Sequence, residues 1–165
     1  MPRWISRDEA LASIRTERGD APCLMCAIRD RRAGDLHVVH EDATQLVFLP
    51  RYVRRWGSAM VMPKVHVTTF AAIDDATMAE TNRLALRLAR AAEALFAPRR
   101  CYVASLGSSA GELVQSSTHL HVHVVPLQEA DDKPADIFSW TEGVMVAEPD
   151  EWRSLVARYR AAFQS

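Results

Sequence analysis

Between Thr118 and Pro126 the chain runs His119-Leu120-His121-Val122-His123-Val124-Val125. Alternate residues of a β-strand share a face. Read as a strand over residues 119–125, this stretch puts three imidazoles on one side, about 6.6 Å of rise apart. Leu120, Val122 and Val124 fall on the other side and need a cover. One long helical pattern supplies it. Met78, Leu84, Leu88, Ala92 and Leu95 recur at helical intervals, Asp74 or Asp75 can cap the start, and Pro98 stops the helix.

Further strands are expected at 36–40 and 45–49, joined as a hairpin across Glu41-Asp42-Ala43-Thr44. Others are expected at 58–62, closed by Pro63, and at 101–106. Residues 107–117 are rich in Gly and Ser and read as a loop. Ser6 and Glu9 form a capping box for a short N-terminal helix that ends at Gly19. Residues 128–137 read as a polar linker and 144–146 as a short edge strand. A last helix starts near Pro149, with Trp152, Leu155, Val156, Tyr159 and Phe163 on one side. The order predicts a single α+β domain over 1–165: an antiparallel sheet of about five strands with one long helix, plus short N-terminal and C-terminal helices.

Twenty basic and 21 acidic residues nearly cancel. That balance argues against a strongly basic protein for nucleic-acid polymers. No uninterrupted apolar run of about 18 residues exists, so no spanning helix and no membrane partner are expected. The first ten residues lack the apolar core of a secretion signal, and a cytoplasmic location is expected. No Gly-x-Gly-x-x-Gly and no Walker-type loop occurs.

Imidazole changes charge near neutral pH, binds metals and is a good nucleophile. Three in alternation opposite an apolar face point to chemistry, against the plainer reading of three surface histidines. Cys23 and Cys26 stand two residues apart, as a metal pair or as two buried free thiols. Cys101 reads as a small core residue. Arg51, Arg54, Arg55 and Trp56 read first as a solvated basic loop, and second as a phosphate clamp with a stacking ring.

The stretch 119–125 resembles the signature of the histidine triad (HIT) family of nucleotidyl hydrolases and transferases. The likeness extends to Gln115-Ser116, to Pro63-Lys64-Val65-His66 and to Cys23-Leu24-Met25-Cys26, which is similar to zinc-containing members. It covers roughly 20–127 and leaves 128–165 as a C-terminal extension. The resemblance implies that His121 is the nucleophile and forms a nucleotidyl-histidine intermediate. It implies that the His119 carbonyl orients that ring, that His123 donates to phosphate oxygens, and that Gln115 and Ser116 bind the phosphate or the leaving group. It further implies a base pocket walled by Leu24, Met25, Ile28, Phe48 and Met60, with Ser105 where an Asn commonly ends the strand. A structural zinc would sit on Cys23, Cys26, His66 and His119. The implied substrate is a nucleoside phosphoramidate or a dinucleoside polyphosphate, and the implied assembly is a homodimer.

Two other readings stay open: a metal-dependent hydrolase using all three triad imidazoles on one ion, and a non-catalytic nucleotide-binding protein. The chain departs from the family pattern in three places: Pro50 stands where many members carry a ribose-binding acid, Ser58 where a His follows Gly57, and Ser105 where an Asn commonly ends the strand. In addition, the loop 107–115 is longer. The segment from Leu106 to Gly111 is similar to dinucleoside-polyphosphate phosphorylases.

Overall fold

A computed structural model describes residues 2–109 and 111–164. Five strands form one antiparallel sheet in the order β2-β3-β4-β6-β5: β2 His37–Glu41, β3 Gln45–Leu49, β4 Ala59–Pro63, β5 Arg100–Ser105 and β6 Val122–Leu127. Two short strands, β1 Arg3–Ile5 and β7 Val144–Val146, pair with each other outside it. The hairpin across Glu41–Thr44 is as expected, and Asp42 closes it by accepting the backbone N–H groups of Thr44 (2.7 Å) and Gln45 (2.8 Å).

The sheet is covered on both faces, so β3 and β4 are buried at every position. Alternation decides which residue goes where. Val47, Leu49, Ala59, Val61, Val122 and Val124 face helix α3 (Asp75–Phe96) and helix α5 (Pro149–Gln164). Leu46, Phe48, Met60 and Met62 face the opposite way, toward helix α1 (Arg7–Arg18) and helix α2 (Leu24–Arg29). His123 is paired with Met60 across the ladder and shares that second face.

Asp74 caps α3, its carboxylate accepting the Thr77 N–H at 2.9 Å. The stripe it buries is Thr81, Leu84, Ala85, Leu88, Ala89, Ala91 and Ala92, while Met78 and Leu95 are only half-buried. Alanines let this helix lie close on the sheet, and the buried Thr81 is satisfied by Gln45 (3.1 Å). Helix α5 rests on its own chain, against β2 and α3, with Trp152, Leu155, Tyr159 and Phe163 inward. The Tyr159 hydroxyl donates to the Gly57 carbonyl. Gly57 has φ +92°, and a Cβ there would stand 2.6 Å from the Phe96 ring, so glycine is required.

Three expectations need correction. The histidine stretch is not a strand throughout, because β6 begins only at Val122. Pro63 has no N–H to extend the ladder with β4, its carbonyl is taken by the His119 ring (2.8 Å), and the Leu120 N–H turns to Val67 (2.8 Å). Residues 128–137 are not a linker. Helix α4 (Pro134–Phe138) lies there, fastened by ion pairing of Arg55 with Asp132 and by Arg54. The stretch 51–56 is accordingly neither a solvated loop nor a free clamp. Arg54 is buried, and Trp56 packs on Trp152 with 4.7 Å between ring centroids.

Candidate functional site

The break before β6 splits the three histidines. His119 is fully buried and its ring turns toward α2. Its Nε2 lies 2.8 Å from the Pro63 carbonyl. A carbonyl only accepts, so Nε2 carries the proton and Nδ1 is a bare lone pair. That Nδ1 faces Cys26 Sγ at 3.5 Å and Cys23 Sγ at 3.8 Å, and Cys26 Sγ faces His66 Nδ1 at 3.3 Å.

The four donor atoms lie within 4.8 Å of one another. Tetrahedral bond lengths of about 2.0–2.3 Å need donors at roughly these separations. Burial first, then the neighbouring Cys23 thiol, pushes Cys26 up to about 11. Left without a cation the Cys26 thiol keeps its proton, and a metal ion among these donors would displace it and stabilise the thiolate. The residues implied for the metal fit one, and no ligand is shared with the other two triad imidazoles.

Helix α2, which periodicity missed, positions both cysteines. Cys23 is its N-cap, with Sγ accepting the Cys26 N–H at 3.3 Å. Glu112 ties this helix to the histidine segment. Its carboxylate accepts from Ser117 Oγ (2.5 Å), Thr118 N (2.9 Å), Thr118 Oγ1 (3.1 Å) and Leu24 N (3.3 Å). Burial acts to raise its pKa, but these donors outweigh it and hold the carboxyl below its ordinary range. Ser117 in turn sits 3.6 Å from Cys23 Sγ.

His121 and His123 line a cavity of about 290 Å³ on the α1/α2 face of the sheet. The His121 Nδ1 lies 2.7 Å from the His119 carbonyl. By the same reasoning Nδ1 carries the proton and Nε2 is left as a free lone pair. The backbone carbonyl of His121 is held by Ser105 Oγ at 2.9 Å. The His123 ring stands edge-on to His121, with centroids 4.8 Å apart. Burial, then His121, presses His123 down to about 3, and burial likewise lowers His121. Both rings are therefore neutral at pH 7.

Leu24, Met25, Ile28, Phe48 and Met60 all line this cavity, as do Gln115 and Ser116. Ser105 stands outside the lining and supports the His121 backbone rather than a ligand. His119 meets His121 through its carbonyl, and its ring lies with the cysteines outside the cavity. Pro50 and Ser58 do line the cavity.

Other lining residues escaped sequence reasoning. Glu17 of α1 pairs with Arg51 and accepts from Tyr52 Oη at 2.9 Å. Ile137, Phe138 and Trp140 come from the C-terminal extension. Only the apolar cluster of Ile137 and Phe138 hinted at them.

The HIT domain model matches residues 7–130. The chain belongs to the HIT family. An uncharacterised HIT-like protein of Mycoplasma pneumoniae is 29% identical over 108 residues, covering 65% of this chain and 72% of its own. A HIT-like protein of Mycobacterium tuberculosis is 28% identical over 110 residues, covering 67% and 74%. Among solved structures, a zinc-bound histidine triad protein of Mycobacterium smegmatis has a TM-score of 0.65 and 26% identity, over 88% of this chain and 96% of its own. A hypothetical histidine triad nucleotide-binding protein of Sulfolobus tokodaii has a TM-score of 0.68 and 24% identity, over 86% and 92%, and shares the fold. Among the described residues no helix is long and apolar enough to cross a membrane.

Proposed function

We propose that this HIT protein is a nucleotidyl hydrolase or transferase that works through His121. The observation that carries the reading is the free Nε2 lone pair of His121, in a ring tied at 2.7 Å to a backbone carbonyl and facing a ligand-sized cavity. The Nε2 lone pair attacks the α-phosphorus. The bond from phosphorus to the leaving atom breaks, its electron pair goes to that atom, and a solvent proton neutralises it. Water then adds to phosphorus, the phosphorus–nitrogen bond returns its pair to Nε2, and the water proton leaves to solvent. Covalent capture splits one displacement into two easier ones.

The His119 carbonyl steadies the imidazolium that carries the nucleotidyl group. His123, Gln115 and Ser116 offer hydrogen bonds to the phosphate oxygens and the leaving atom. Leu24, Met25, Ile28, Phe48 and Met60 form the apolar bed for a base. Cys23, Cys26, His66 and His119 would hold a zinc ion, which closes the α2 corner of the fold and leaves no position open for substrate.

The test is turnover of a panel of nucleoside phosphoramidates and dinucleoside polyphosphates. Activity is expected in the wild type and absent in His121→Ala, with unchanged melting. A labelled substrate quenched in alkali should leave its nucleotidyl group on the wild-type chain only. Full activity of His121→Ala would end this reading. Pro50 at the ribose-acid position favours one rival, a binding protein without turnover, and tight nucleotide binding with no product in any arm would establish it.

A further inference from the structure

Helix α1 buries Ala10, Leu11 and Ile14. Helical spacing puts residue 18 next on that inward stripe, and it is an arginine whose side chain is only 17% exposed. A cation at the end of a helix most simply bonds that helix's own last carbonyls. Arg18 reaches past them. Its Nε donates to the Ala21 carbonyl (2.8 Å), its Nη1 to the Leu113 carbonyl (3.1 Å) and its Nη2 to the Pro22 carbonyl (3.5 Å), with the Glu112 carboxylate 3.9 Å away.

The segment it reaches is held by no strand. Between Ser105 of β5 and Val122 of β6 the described residues form no ladder pair. A loop of this length takes its shape from side-chain contacts. Val114 packs among the apolar residues around Ile14 and Met25, and Glu112 collects the donors of Leu24, Ser117 and Thr118 described above. Arg18 adds a hold at Leu113.

That hold passes on through one peptide. The Leu113 carbonyl takes the guanidinium, while the Leu113 N–H donates to the Ser116 carbonyl at 2.9 Å and closes the turn 113–116. Gln115 and Ser116, at the far end of that turn, line the His121 cavity. Arg18 stands outside the lining and borders a separate cleft of about 250 Å³ with Arg15, Asp20 and Pro22.

We propose that Arg18 is a positioning residue for nucleotidyl transfer: it fixes the turn 113–116 so that Gln115 and Ser116 meet the phosphate oxygens and the leaving atom. The inference rests on the reading of His121 given above. The apolar bed for the base comes from α2, β3 and β4 and does not include this turn. Loss of Arg18 therefore weakens the transition state more than ground-state binding.

The experiment is a mutant cycle on whichever phosphoramidate or dinucleoside polyphosphate the wild type turns over fastest. Arg18→Met keeps the packing of the stem and removes every donor. Arg18→Lys, which keeps the charge without the planar fork, takes its place if the first variant does not fold. In the wild-type background Arg18→Met should lower kcat about tenfold with KM within about twofold. In a Gln115→Ala/Ser116→Ala background the same change should lower kcat less than about twofold, because the groups it positions are gone. Amide exchange should quicken over residues 112–117, and melting curves check that each variant is folded. An equal loss in both backgrounds, as an effect passed through Ala21 and Pro22 to α2 would give, overturns the positioning role and leaves the reaction standing. So does a loss confined to KM, an unchanged kcat, or unchanged exchange over 112–117. No His121-dependent turnover by the wild type would overturn both.

Discussion

Replacing Glu112 with glutamine is a sharp probe of how the metal corner and the nucleophile are built together. The carboxylate takes three donors on Oε1, from Ser117 and twice from Thr118, and one on Oε2, from Leu24. Arg18 adds charge at 3.9 Å. An amide keeps one accepting oxygen. Turned to keep Oε1, it sets an NH2 group against the Leu24 N–H and the Arg18 guanidinium. A charge-assisted bond is lost and a backbone donor is orphaned, for about 2–4 kcal/mol in all. At this chain length that is a fall of roughly 5–15 °C in melting temperature. Because Ser117 and α2 place both Cys23 and His119, zinc affinity should drop about 10–100-fold. Calorimetry gives the first quantity and competition with a chromogenic chelator the second. A melting temperature within about 2 °C of wild type and an unchanged affinity would refute the reasoning, since neither is compatible with four accepted bonds that matter.

Three further outcomes are expected. The folded-state pKa of His123 lies near 3, below its ordinary value, so the unfolded chain binds that proton more tightly. Stability is therefore unaffected above about pH 6.5 and is lost as pH falls toward 3, by about 1–2 kcal/mol between pH 6.5 and 5. His123→Asn should flatten that part of the difference curve, and parallel curves would contradict it. Arg54→Ala removes three hydrogen bonds, the one to Gly143 fully buried, and should cost about 2–4 kcal/mol, with faster amide exchange concentrated over residues 134–146; uniform exchange would argue against anchoring. Purified protein should carry about one zinc per chain, and a strong chelator should lower the melting temperature by an amount that Cys26→Ser abolishes; a chelator effect that survives Cys26→Ser would count against the Cys2His2 site.

Much of this architecture is legible from local rules. The β-rich run at 45–49, Asp74 ahead of a helical stripe and Pro149 opening another all act through nearest neighbours, and tertiary packing agrees with them. The misreadings come from contacts distant in sequence. Nothing near 119–125 tells that Pro63 takes the His119 ring and stops the ladder at Val122. Residues 128–137 read as a linker because what fastens them is distant in sequence: the Asp132 carboxylate pairs with Arg55 and the Asp136 backbone carbonyl accepts from Arg54, some 80 positions away. The six residues of α2 are too few for periodicity to register, and their cap is a cysteine, which is not a usual capping residue. The cavity bed was legible through resemblance, whereas the wall from α4 lies beyond the matched region.

His119 answers to two masters through different atoms. Its imidazole belongs to the sulfur cluster and its peptide oxygen belongs to the neighbouring nucleophile, so a phenotype at this position mixes two causes. A Cys in its place would keep a soft ligand and leave the peptide free to stay put, whereas Ala surrenders the anchor that aims the carbonyl. Comparing those two replacements separates coordination from aim, and an alanine scan alone would credit the wrong one.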